Sequence, residues 1–157
     1  MTSVAGLPIL LQDPYLSIEA AKLQQDTINF ERASSTGYGI NLGDAYGGVT
    51  GALVRPDLPA FDVESMGVTS KITLRIQVVG LIPYARQVPA IRANRTADPI
   101  SLGKLAMIVA QEMQKYIETA GPIQYGERTL QLHNMFLTKL YHVSRGSWQP
   151  EIKVYIV

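Results

Sequence analysis

The chain has 157 residues, of which 46% are hydrophobic and 17% charged, with a formal net charge of +1. That length and apolar content supply enough material for one ordinary core and exclude wholesale disorder. There is no cysteine, so disulfide scaffolds, zinc ribbons, cysteine-ligated iron–sulfur clusters and thiol nucleophiles are excluded together.

The stretch Met1 to Asp13 contains the apolar run Leu7-Pro8-Ile9-Leu10-Leu11, with no Lys or Arg before it and Pro8 inside it. A membrane span needs about 20 apolar residues, so neither a signal peptide nor a transmembrane helix is expected. The expected setting is intracellular and cytoplasmic, with no membrane partner. Ser17 to Ala33 reads as a helix with a weak apolar face. Ser34 to Gly51 is rich in Gly, Ser, Thr and Tyr and reads as a loop or flexible arm. Arg55-Pro56-Asp57-Leu58-Pro59 is irregular or extended.

Charge divides the chain near Met66. Residues 1–66 carry eight acids and three bases, a balance of −5, whereas residues 67–157 carry eleven bases and five acids, a balance of +6. Lys71, Arg75, Arg86, Arg92 and Arg95 follow one another with no acid before Asp98.

Clearer periodicity begins at Lys71. Ile72, Leu74, Ile76 and Val78 alternate with mostly polar residues, which predicts a half-buried strand over 71–79, ended by Gly80. Tyr84 to Ile91 returns as a shorter strand that Pro89 confines to an edge. Over Ser101 to Ala120, Leu102, Leu105, Ala106, Val109, Met113, Tyr116 and Ile117 share one face, predicting an amphipathic helix with Ser101 as N-cap. Gly121-Pro122 is its stop. Thr129 to Val143 and Glu151 to Val157 then form a hairpin about Ser144-Arg145-Gly146-Ser147. The expected fold class is α+β: a small antiparallel sheet with one packed helix over 67–157, joined to an acidic, Gly-rich, irregular N-terminal arm over 1–66.

No motif names a chemistry. Gly37-Tyr38-Gly39-Ile40-Asn41-Leu42-Gly43 has three residues rather than two between its later glycines, so a Gly-rich loop explains it better than a dinucleotide fingerprint. His133 and His142 would point to opposite faces of one strand and do not suit one metal. Asp57, Asp62 and Glu64 lie close together and read as a solvated acidic surface. Trp148, Tyr141 and Tyr155 fit a sugar-stacking platform, but hairpin aromatics more often pack the sheet. No cofactor and no metal are expected.

Ile72-Thr73-Leu74-Arg75-Ile76, the helix start Ser101-Leu102-Gly103-Lys104-Leu105-Ala106, and His142-Val143-Ser144-Arg145-Gly146-Ser147-Trp148-Gln149-Pro150 together resemble small, uncharacterised proteins of basidiomycete fungi. The resemblance covers about half the chain, contains no functional motif, and implies a source without implying an activity.

Three functions remain open at this point. The first is a non-enzymatic, self-associating or protein-binding module in which the acidic arm meets the basic unit, in one chain or between two copies. A small hydrolase-like enzyme pairing His133 or His142 with Asp57 or Asp62 is the second. The third is nucleic-acid binding on a basic sheet surface. The candidate binding residues are Arg75, Tyr84, Arg86, Arg92 and Arg95.

Overall fold

The computed structural model describes residues 4–13, 27–32, 39–92 and 96–156. In chain order its elements are β1 (Thr27–Asn29), β2 (Ile40–Asn41), α1 (Leu42–Tyr46), α2 (Val63–Met66), β3 (Lys71–Ile76), β4 (Tyr84–Pro89) and α3 (Leu102–Ala120). There follow β5 (Gln124–Tyr125), β6 (Arg128–Thr129), β7 (Met135–Ser144) and β8 (Ser147–Val154). One long helix on a six-stranded sheet makes this an α+β fold. The sheet order is β1-β7-β8-β3-β4, with β2 also on β7, and β5 with β6 forms a separate small hairpin.

The hairpin β7–β8 is the centre of the sheet, and Gly146 makes its tight turn possible by taking a φ of 75°. β3 and β4 are antiparallel, as expected of the second, shorter strand, with Pro89 at the end of the outermost strand. β3 runs parallel to β8, so the sheet is mixed rather than antiparallel throughout. The physical reason is the long connection between them, which crosses over through α3 and returns the chain in the same direction.

α3 starts where Ser101 Oγ accepts the backbone N–H of Lys104 at 3.1 Å and ends before Gly121, as expected. Its buried face includes Leu105, Val109, Met113 and Tyr116, packed with Leu74, Ile76 and Ile152 of the sheet in one core. Leu10, Ile28, Phe30, Ile40, Leu42, Leu53 and Phe61 belong to the same core, which therefore crosses the charge boundary near Met66.

Several expectations for the first half change. The proposed helix over Ser17 to Ala33 falls mostly outside the described residues, but Thr27–Asn29 is a strand, its Ile28 opposite Leu140. β7 has a free edge, and β-branched Thr27 and Ile28 fit it better than a weakly amphipathic helix. Within the expected loop 34–51, residues 34–38 lie outside the described residues. Ile40–Asn41 pairs with β7, and Asn41 caps α1 by accepting the N–H of Gly43 at 2.9 Å. The strand expected from Thr129 begins only at Met135, because Leu132–Asn134 forms a 3-10 turn held by Asn134 Oδ1 and the N–H of Gln131.

The N-terminal segment fills a split in the sheet. β3 and β8 pair only at Thr73 with Ser147 and at Leu74 with Trp148. Two positions further on is Pro150, whose backbone faces β3 and has no N–H to donate, so the ladder cannot continue there. Residues 8–13 enter this gap antiparallel to β8. The Val154 N–H donates to the Pro8 carbonyl (2.8 Å) and the Leu10 N–H to the Ile152 carbonyl (2.8 Å). On the other side the Asp13 N–H donates to Gln77 O (2.8 Å) and the Val79 N–H to Leu11 O (3.2 Å). The Gln12 carboxamide spans the gap: Nε2 donates to Pro150 O at 2.6 Å, and Oε1 accepts the Gln77 N–H at 3.0 Å. Residues 8–13 thus pair into the sheet of their own chain through backbone hydrogen bonds, the Gln12 carboxamide and the burial of Leu10.

Candidate interaction surface

The five candidate binding residues do not form one surface. Arg86 stands opposite Leu74, a core residue, so it lies at the edge of the helix-covered face. Arg75 stands opposite Ala85 on the other face, where its Nε donates to Ser147 Oγ at 3.0 Å. Alternation along paired strands separates the two arginines. Arg92 is exposed beyond β4, its N–H bonded to Asp98 O at 2.7 Å, and Arg95 lies outside the described residues.

Tyr84 anchors the margin of the sheet to α3. Its hydroxyl donates to Glu112 Oε1 at 2.8 Å, its ring meets Tyr116 edge-on with centroids 5.3 Å apart, and the Arg86 guanidinium lies 5.4 Å from its ring centre. Lys115 Nζ completes the group 3.2 Å from Glu112 Oε2. Burial and the hydrogen bond to Glu112 push the Tyr84 hydroxyl pKa above its usual value. Glu112, itself almost fully buried, was legible as unusual: Ile108, Glu112 and Tyr116 recur every fourth residue on the buried face.

A second polar cluster occupies the opposite face. Tyr141 Oη donates to Glu151 Oε2 at 2.6 Å, Thr138 Oγ1 donates to Glu151 Oε1 at 2.8 Å, and Lys139 Nζ lies 5.7 Å from the Tyr141 ring centre. Burial first, and Glu151 second, push the Tyr141 hydroxyl up to about 12. Against about 10 in an unfolded chain, the retained proton contributes stability that is complete below pH 10 and declines as pH rises towards 12. Tyr141→Phe should therefore remove from the tyrosinate absorbance a phenol that ionises near pH 12. A parent-minus-variant difference curve centred near pH 10 would contradict the assignment.

The histidines are far apart in role. His133 sits in the exposed 3-10 turn, its carbonyl accepting Asn41 Nδ2 at 2.8 Å. His142 is buried in β7, its ring stacked on Trp148 with centroids 4.3 Å apart and planes 3° from parallel. Trp148 faces the core and Tyr141 the opposite side of the sheet, so the aromatic residues of the hairpin form no common platform. Asp62 caps α2, accepting the Ser65 N–H, while Asp57 and Glu64 are exposed. Among the described residues no group of three or more His, Asp or Glu could hold a metal ion, and no helix is long and apolar enough to cross a membrane.

What remains is a margin of apolar side chains beside the outer edge of β4, on which no further strand lies among the described residues. Leu11 is 72% exposed, Val79 55% and Ile82 67%. The Leu11–Val79 backbone bond holds the first two together, and the 78–81 turn, closed by Leu81 N–H to Val78 O at 3.0 Å, leads into Ile82. β4 follows directly. Because the Ala90 N–H donates to Ser70 O, the register turns the backbone groups of Tyr84, Arg86 and Val88 towards β3 and those of Ala85 and Gln87 outward. Comparison with protein-family models, curated proteins and solved structures finds no match to this chain.

Proposed function

We propose that the chain is a non-enzymatic protein-binding module that associates with a second copy of itself through this margin. The observation that supports the reading is the meeting of an open strand edge with Leu11, Val79 and Ile82 at its start. An outer edge presents unpaired backbone groups to an incoming strand, and adjacent apolar side chains add area that water does not favour. Pro89 brings no N–H and limits the usable edge to a few residues, which opposes open-ended stacking.

Charge selects a register. Antiparallel self-pairing centred on Arg86 would place two guanidinium groups side by side, which is unfavourable. Centring on Ala85 instead sets each Arg86 beside the second copy's Tyr84, the same pair that already meets within one chain at 5.4 Å. The separation of Arg75 from Arg86 favours this reading over phosphate binding on one basic face. The polar groups at the margin are also engaged in holding β4 to α3.

Sedimentation of the full chain from micromolar to millimolar concentration tests the reading. The parent should dimerise, and the double variant Val79→Lys, Ile82→Lys should remain monomeric with an unchanged melting temperature, since both side chains face solvent. A parent that stays monomeric across the whole range would remove the proposal.

A further inference from the structure

We infer that residues 8–13 form an exchangeable strand, which in the dimer lies in the slot between β8 and Gln77–Val79 of the other copy. The inference rests on the self-associating reading above and names the element that crosses between copies. The slot requires a strand. Without residues 8–13, the Ile152 carbonyl, the Val154 N–H, the Val79 N–H and both backbone groups of Gln77 would lose their partners at once.

The same groups accept an identical strand from a second chain equally well, because the bonds are made by backbone atoms and by Gln12. Release from the home slot uncovers two buried apolar side chains, Leu10 within the strand and Val4 ahead of it, while Ile9 and Leu11 are already exposed; the same positions in a second copy rebury both. Thirteen residues, 14–26, join the segment to β1, a tether with an extended reach of roughly 43–47 Å, so the connection itself does not forbid crossing. A strand of the same chain binds intramolecularly and so has the advantage over an identical strand from a second copy. Exchange therefore needs a further contact to compete, and the outer edge of β4 supplies it: Leu11 meets Val79 equally in the home slot and in the exchanged one, whereas pairing of the two copies' β4 edges beside Ile82 is made only in the dimer.

The test uses the absence of native cysteine. Ile9 and Lys153 are directly opposite, flanked by the Leu10–Ile152 and Val154–Pro8 bonds, which makes them a non-hydrogen-bonded pair with Cα atoms generally about 4.5 Å apart and within disulfide reach. A doubly substituted chain (Ile9→Cys, Lys153→Cys) should close a disulfide within the monomer at low concentration. Singly substituted chains, one carrying Ile9→Cys with heavy nitrogen and the other Lys153→Cys, are then mixed folded and at high concentration. Exchange predicts a covalent dimer, increasing with concentration, whose linked peptides join position 9 of one chain to position 153 of the other.

Absence of that linkage, while the doubly substituted chain closes fully, overturns the exchange. Failure of the doubly substituted chain to close removes the slot geometry and the inference with it. A sedimenting dimer without the 9–153 linkage overturns exchange and leaves the margin reading intact. Linkage that persists when Val79→Lys, Ile82→Lys is added sustains exchange and removes the margin reading.

Discussion

Trp148→Ala should lower the unfolding free energy by about 3–5 kcal/mol, the largest effect expected of any single truncation in the sheet. Trp148 is fully buried and is the only tryptophan in the chain. Its indole joins three parts of the sequence: Phe61 meets it edge-on with centroids 5.9 Å apart, His142 of β7 stacks on it, and Leu74 of β3 is its partner in the parallel pair. Truncation removes both ring contacts while the backbone pairing with Leu74 stays, and the sheet on either side is too well paired to collapse into the space. The indole Nε1 has no hydrogen-bond partner among the described residues, so Trp148→Phe gives up an N–H that was buried without one and should recover most of the loss. Circular dichroism during urea denaturation measures both variants, since fluorescence is lost with the indole. An alanine variant within about 1 kcal/mol of the parent would mean that this contact does not bind the halves together.

The same residue shows how far local pattern reaches. Ile152 and Val154 announced β8, and Leu105, Val109 and Met113 announced α3, because period-2 and period-3.6 repeats over six or more residues are set by which face is buried. β1 and β2 span three and two residues, too short for any period to show. They are strands because β7 offers an open edge, a tertiary fact. Arg75, Tyr84 and Arg86 were visible as a basic, aromatic stretch, but their distribution between two faces follows from the β3–β4 register, which one strand's sequence does not contain. Glu112 was within reach, since its spacing from Ile108 and Tyr116 marks a carboxylate on an apolar face. The exposed margin was not, because Leu11 and Val79 are 68 positions apart and meet only through the split in the sheet.

Gln12→Ala should cost about 2–3 kcal/mol, a large effect for a half-exposed polar side chain. Its carboxamide stands where a peptide group would continue the β3–β8 ladder, donating to Pro150 O at 2.6 Å and accepting from Gln77 N–H at 3.0 Å. Alanine leaves both backbone groups facing a gap that β3 cannot close, since Pro150 has no N–H. Gln12→Glu sharpens the test, because it keeps an acceptor for Gln77 and removes the donor to Pro150. At neutral pH a carboxylate oxygen would face the Pro150 carbonyl, an acceptor against an acceptor; once protonated, the same group can donate. The introduced carboxyl should therefore have a folded-state pKa above the usual value near 4.3. Its stabilising contribution is complete below that unfolded value and is lost as pH rises through the folded one. Urea denaturation of parent and both variants at pH 4 and pH 7 decides the matter. The glutamate variant should lie close to the parent at pH 4 and near or below the alanine variant at pH 7. Equal losses for glutamate at the two pH values would show that the Pro150 contact, and with it the account of how the N-terminal strand is held in the sheet, is wrong.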